Sequence, residues 1–191
     1  MASDGRVGSE LCRRIGGAKA DFSALRRVWS RAPLGRQRKV AIYKALVESK
    51  LLYGLAAACF TKAELRRLDG FQSKCLREVL GIKASFYSRV SNATVRAQAQ
   101  SEAASDALRR AQLMQLGKVM RASKDNPLFA TSFVGATWRP TVDYYVRRVG
   151  RPRKEWVPDV LAEGARRAGG VDKLAALANS TPQAFQQLLL H

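Results

Sequence analysis

The chain has 191 residues, with 34 Lys+Arg against 15 Asp+Glu and a formal net charge of +19. That length suffices for one domain with a proper core, or one domain plus a tail, and a hydrophobic share of 47% is that of a globular chain. So basic a chain repels itself and attracts polyanions, which makes nucleic acid the leading partner class, and no basic block is long enough to be a simple charged tail.

Residues 1–8 are small and polar and are expected to form a disordered N-terminus. From about Ser9 the spacing becomes regular. Leu11, Ile15, Ala18, Phe22, Leu25 and Trp29 fall within about 40° of one line on a helix, while Arg13, Arg27 and Arg31 point the opposite way. Ala32-Pro33 should end this helix, because the residue before proline avoids the α region.

The stretch Lys39–Gly54, KVAIYKALVESKLLYG, is the expected centre of the fold. Tyr43, Leu46, Val47, Leu51, Leu52 and Tyr53 dominate it, and Ile42, Ala41 and Ala45 carry the apolar surface most of the way round. A helix apolar on nearly all sides is one that neighbours surround. It is too short to cross a bilayer, and Lys44, Glu48 and Lys50 lie inside it, so no membrane partner is expected.

Thr61-Lys-Ala-Glu64 reads as a capping box that opens a third helix. Leu65, Leu68, Phe71, Gln72, Cys75, Leu76 and Val79 make its apolar face, and Gly81 supplies the stop. Arg66, Arg67, Lys74 and Arg77 lie within roughly 100° of one another on the reverse face. Residues 82–91 read as a loop with two aromatics, Phe86 and Tyr87, and Asn92 as the cap of a short helix over Ala93–Gln100. A further helix covers Ser101–Ala122, and Asn126-Pro127 caps a short helical turn. Residues 133–154 lack a helical period. A helix over Val157–Arg167 should stop at Gly169-Gly170, followed by a short one over Asp172–Ala178, and Thr181-Pro182 should open a last one to Leu190. No strand pair is expected.

Catalytic chemistry has little to stand on. No two acidic residues are adjacent, so carboxylates converging on two Mg²⁺ ions are not in evidence. Gly16-Gly17 and Gly169-Gly170 lack the pattern of a phosphate-binding loop. The single histidine is His191, which leaves Ser and Cys nucleophiles without a base and a Cys/His zinc site without ligands. Cys12, Cys59 and Cys75 fall on apolar helical positions and read as buried free thiols of a reducing compartment, nuclear or cytoplasmic. The N-terminus has no apolar run that would make a signal peptide. No cofactor, no metal and no activity of this chain alone are expected.

What remains is basic surface. The Arg66, Arg67, Lys74 and Arg77 face is almost unrelieved by acids, and Arg13, Arg27 and Arg31 form a second face. The densest run is Arg147, Arg148, Arg151, Arg153 and Lys154, open to three readings: a phosphate-contacting loop, a nuclear-targeting patch, or an AT-hook-like element with Val149 where that motif wants a basic residue. Trp138 and Trp156 beside it read as core anchors, or as platforms for bases.

Six motifs in order resemble the region after the polymerase palm in LINE-type, non-LTR retrotransposon reverse transcriptases. An RI..A...F..L...W pattern stands at Arg14, Ile15, Ala18, Phe22, Leu25 and Trp29, and K...Y...V.S.LLYG at Lys39, Tyr43, Val47, Ser49 and Leu51–Gly54. The segment Phe71–Ile82, the step Ser91-Asn92, the run Arg109–Arg121 and the motif Gly150–Trp156 follow. The match covers roughly residues 10–157. Ala56 and Ala58 stand where relatives commonly have Glu and Trp, and Lys118 where they have His.

The resemblance implies a helical thumb over residues 9–122, a connector with a basic loop over 123–157, and beyond it a C-terminal helical tail over 158–191. The fold expected is all-α, an antiparallel bundle around the central helix with a small C-terminal appendage. The function implied is non-catalytic binding of template–primer, a duplex or RNA–DNA hybrid, as a fragment of an RNA-directed DNA polymerase. The family's Tyr/Phe-x-Asp-Asp block is expected upstream of Met1, in a palm that would be the partner of this region. The competing class is a helical scaffold or interaction module, a decayed relic without activity.

Overall fold

A computed structural model describes residues 7–135, 137–141, 155–180, 185 and 187. These are all-α: no strand forms among them, and Phe133 and Pro140 make an isolated antiparallel bridge. The chain divides into two compact units, Met1–Leu55 with Phe60–Leu108, and Ala56–Cys59 with Arg109–His191. The division falls inside a helix.

The first unit opens with α1 (Val7–Ala24) and α2 (Arg26–Arg31). Val7 and Gly8, expected in the disordered N-terminus, are already helical. The single helix expected up to Arg31 breaks at Leu25, where ψ is 9°. The buried indole of Trp29 explains the break. Its Nε1 donates to the Phe22 carbonyl at 3.0 Å, an acceptor that a continuous ladder would give to a backbone amide. The two rings stack at 5.2 Å, and Tyr43 meets Phe22 edge-on.

The central stretch is α3 (Arg36–Tyr43), a π-helical turn (Lys44–Glu48) and α4 (Ser49–Leu52). α1 packs against the π turn and α4, and α3 packs against α5 (Lys62–Leu80). Val40, Tyr43, Val47 and Leu51 are buried. The expectation of a helix covered on nearly all sides fails, however. Leu46 is 53% and Tyr53 74% exposed, and Ala41 and Ala45 also face outward. The stretch is an ordinary one-faced helix whose solvent side is unusually apolar.

α5 begins as the sequence predicts. Thr61 Oγ1 accepts from the Glu64 amide and Glu64 Oε2 accepts from the Thr61 amide, and Gly81 closes the helix at φ 71°. The next elements are α6 (Ser85–Ser88), α7 (Asn92–Gln98) and α8 (Ala104–Arg121). Ser91, not Asn92, caps α7. The start of α8 is satisfied by α5 side chains: Gln72 Oε1 accepts from the Ala104 amide, and Asp69 accepts from the amide and hydroxyl of Ser105.

The second unit holds most of α8, α9 (Pro127–Ser132), α10 (Trp156–Ala168) and α11 (Val171–Ser180). Leu113, Leu116, Phe129, Phe133, Val160 and Leu174 are central to its core. Asn126 caps α9 and Gly169 ends α10 in the left-handed region, both as predicted. Trp138 packs edge-on against Phe129 and Phe133, and the Trp156 indole donates to the Ala56 carbonyl at 2.7 Å, so both tryptophans act as core anchors. The expected last helix lies largely outside the described residues; Phe185 within it is buried against Gly117.

Candidate nucleic-acid interface

The basic face expected on α5 is shorter than the helical wheel implies. Arg66, Arg67 and Lys74 are exposed, but Arg77 is buried. Its Nη1 donates to the Lys83 carbonyl and Ser88 Oγ, and its Nη2 to the Val90 carbonyl and Asn92 Oδ1. Arg77 is therefore not a phosphate contact but the staple that holds residues 83–92 against α5. A wheel shows which side of a helix a residue lies on, and not that a later segment folds over that side. Arg67 donates to Cys12 Sγ at 3.4 Å, and of the predicted four Arg66 and Lys74 make no ion pair among the described residues.

The second predicted face divides as well. Arg13 is tied to Glu10 at 2.6 Å, and with Arg14 it holds that carboxyl down at about 2. Arg27 and Arg31 are exposed and make no ion pair among the described residues. Three arginines that the sequence reading did not single out join them: Arg26, Arg36 and Arg38 are exposed too. No acidic residue occurs between Asp21 and Glu48, and among the described residues none of these five arginines makes an ion pair. That acid-free interval was the available signal. Lys39 and Lys44 within it are spent on the backbone carbonyls of Trp29 and Gln100. Arg147, Arg148, Arg151, Arg153 and Lys154 lie outside the described residues.

A groove of about 500 Å³ opens where residues 82–92 fold over α5. Ser73, Lys74, Glu78, Ile82, Ser85 and Asn92 are among the side chains lining it. Directly after Ala84 and Ser85 stand Phe86 and Tyr87, 74% and 75% exposed. Their rings meet edge-to-face at 5.3 Å, and the Arg89 guanidinium lies 5.7 Å over Phe86. Residues 79–101 contain no acid, while Lys83, Arg89 and Arg96 are basic. α7 connects this site to the arginine surface. Asn92 at its start is held by Arg77, and the Gln98 carbonyl at its end accepts from Gln37, between Arg36 and Arg38. At 1.5 Å per residue α7 itself is roughly 10 Å long.

The thiols differ from one another. Cys75 is buried and its thiol is pushed up to about 12, chiefly by burial, but Cys12 is exposed and Cys59 only partly covered, against the expectation that all three are buried. Among the described residues no group of three His, Cys, Asp or Glu could hold a metal ion, and no helix is long and apolar enough to cross a membrane. No protein-family model, curated protein or solved structure matches the chain.

Proposed function

We propose that this chain binds nucleic acid through the basic surface of its first unit, in the manner of the thumb and connector of a non-LTR retrotransposon reverse transcriptase. The observation that carries the reading is the acid-free interval over α2 and α3, where Arg26, Arg27, Arg31, Arg36 and Arg38 stand exposed without carboxylate partners among the described residues. Arginines left unpaired in one region are suited to phosphate, and contacts of this kind position a duplex without reading its sequence. Arg66 and Lys74 on α5 extend the cationic area. The order of the six sequence motifs supports the retroelement origin.

Titration of the full chain against duplex DNA and an RNA–DNA hybrid at two salt concentrations tests the binding. Affinity that falls steeply with salt for both, and falls further when Arg27 and Arg31 are changed to Glu, supports it. Salt-independent binding, or none, points instead to the scaffold class. The origin is tested by sequencing the transcript upstream of Met1: an in-frame palm with a Tyr/Phe-x-Asp-Asp block supports it, and its absence leaves a separate binding module.

A further inference from the structure

Two neighbouring large rings, each about three-quarters exposed, are an unusual thing for a small unit to hold in water. They are not on a loose loop. Arg77 fixes the segment by its bonds to Lys83, Ser88, Val90 and Asn92, so the position of Phe86 and Tyr87 is set before anything binds. Arg89, whose backbone takes the left-handed φ of 56°, turns its guanidinium over the Phe86 ring. A duplex that meets only phosphate-binding cations has no use for such rings, because its bases present their faces to one another. An unpaired base does have a free face, and an exposed aromatic ring beside cations is the means of holding it.

The adjoining groove has matching chemistry. Lys74, Arg77 and Glu78 line it, and the Arg77 guanidinium is already held by Lys83, Ser88, Val90 and Asn92. Asn92 and Ser85 add polar groups, and the Ser73 hydroxyl, 97% buried by its 3% exposure, has no hydrogen-bond partner among the described residues. A recess lined by both apolar and polar atoms beside an aromatic platform fits a nucleobase or its ribose. Lys83 and Arg89 outside it fit the flanking phosphates.

Resting on the nucleic-acid reading above, we propose that Phe86, Tyr87 and the Ser73–Lys74–Asn92 groove bind an unpaired nucleotide, so that the protein prefers a duplex carrying a single-stranded overhang to a blunt one. The α2–α3 arginines hold the duplex, and the aromatic site, joined to them through α7, takes the first unpaired base.

The test is fluorescence anisotropy of the full chain with a blunt duplex and with the same duplex bearing a four-nucleotide overhang, in wild type, in the Phe86→Ala/Tyr87→Ala double variant and in Phe86→Tyr. Wild type should bind the overhang about 10-fold or more tighter, the range expected for base stacking on a side chain. The double variant should lose that preference and keep its blunt-duplex affinity and salt dependence. Phe86→Tyr should retain it. A 2-aminopurine at the first overhang position should be quenched by wild type and not by the double variant. Equal wild-type affinity for both duplexes overturns the proposal, as does a preference that survives in the double variant. Failure of wild type to bind either duplex overturns the nucleic-acid reading itself. Capture of an acidic peptide by Phe86 and Tyr87 in place of the overhang would also overturn it.

Discussion

Arg77 Nη2 donates to Asn92 Oδ1 at 2.9 Å, and this bond joins the end of α5 to the start of α7 across fifteen residues of chain. The same guanidinium reaches the carbonyls of Lys83 and Val90, so one buried cation organises the whole 83–92 segment. Arg77→Ala strands these acceptors. It should destabilise the first unit by about 2–4 kcal/mol in urea unfolding, since each bond from a charged donor contributes about 1.5–3 kcal/mol before losses are shared. Amide exchange at Tyr87 and Val90 should rise most. If the variant instead kept its stability and lost only affinity for duplex, Arg77 would be a phosphate contact after all.

Glu48 ends the π turn and is buried, with Oε1 accepting from Gln72 Nε2 at 2.8 Å. Burial raises its pKa above the ordinary 4.5, against the lowering effects of Gln72 and Lys44. A carboxyl whose pKa is raised in the folded state stabilises most below the unfolded value, and that contribution is lost as pH rises through the folded value. Stability should therefore fall as pH is raised above about 4.5. Glu48→Gln keeps an acceptor for Gln72 and removes the buried charge. It should flatten this slope and stabilise the protein at pH 7 by about 1 kcal/mol in thermal unfolding. A destabilised Glu48→Gln protein would mean that the charge itself is needed there.

The helix ends were legible in the sequence because their chemistry is local. Thr61 and Glu64 satisfy each other's amides within three residues, and Gly81, Asn126 and Gly169 act at their own positions. What was not legible depends on distant partners. The break at Leu25 follows from where the Trp29 indole finds its acceptor, and the burial of Arg77 follows from a segment folding back. Asp69 caps α8 through Ser105, thirty-six residues away in sequence. Of the candidate site, the α5 and α2 cations were visible. The exposed aromatic pair was seen only as two aromatics in a loop, because nothing local says that no neighbour covers them.

Glycines separate the crowded positions from the open ones. A Cβ on Gly164 would lie 2.8 Å from Leu174 and 3.2 Å from Leu113, in the core of the second unit. Gly164→Ala should cost about 1–3 kcal/mol despite the better helix propensity of alanine. Gly16 and Gly17, exposed within α1, have nothing within 4 Å of such a Cβ. Gly16→Ala and Gly17→Ala should each stabilise the first unit by about 0.5–1 kcal/mol. Thermal unfolding of the three variants checks both signs.

The cysteines give a simple probe of the first unit. Cys12 is exposed and should react with a thiol reagent in the native protein within minutes, as read by mass. Cys75 is buried with its thiol held up at about 12, and should react only when the unit opens. Native labelling of Cys75 at the rate of Cys12 would contradict the packing of α5.

Phosphate binding by the α2–α3 arginines is read out by the salt slope of duplex affinity. Comparison is between wild type and a variant with Arg27, Arg31, Arg36 and Arg38 changed to Gln. Each phosphate contact contributes about −0.9 to the slope of log K against log salt concentration. The wild-type slope should be steep and should become shallower by about 3.6 in the variant, with weaker binding at low salt. A wild-type protein that ignores duplex, or a variant with an unchanged slope, would contradict phosphate binding by these arginines.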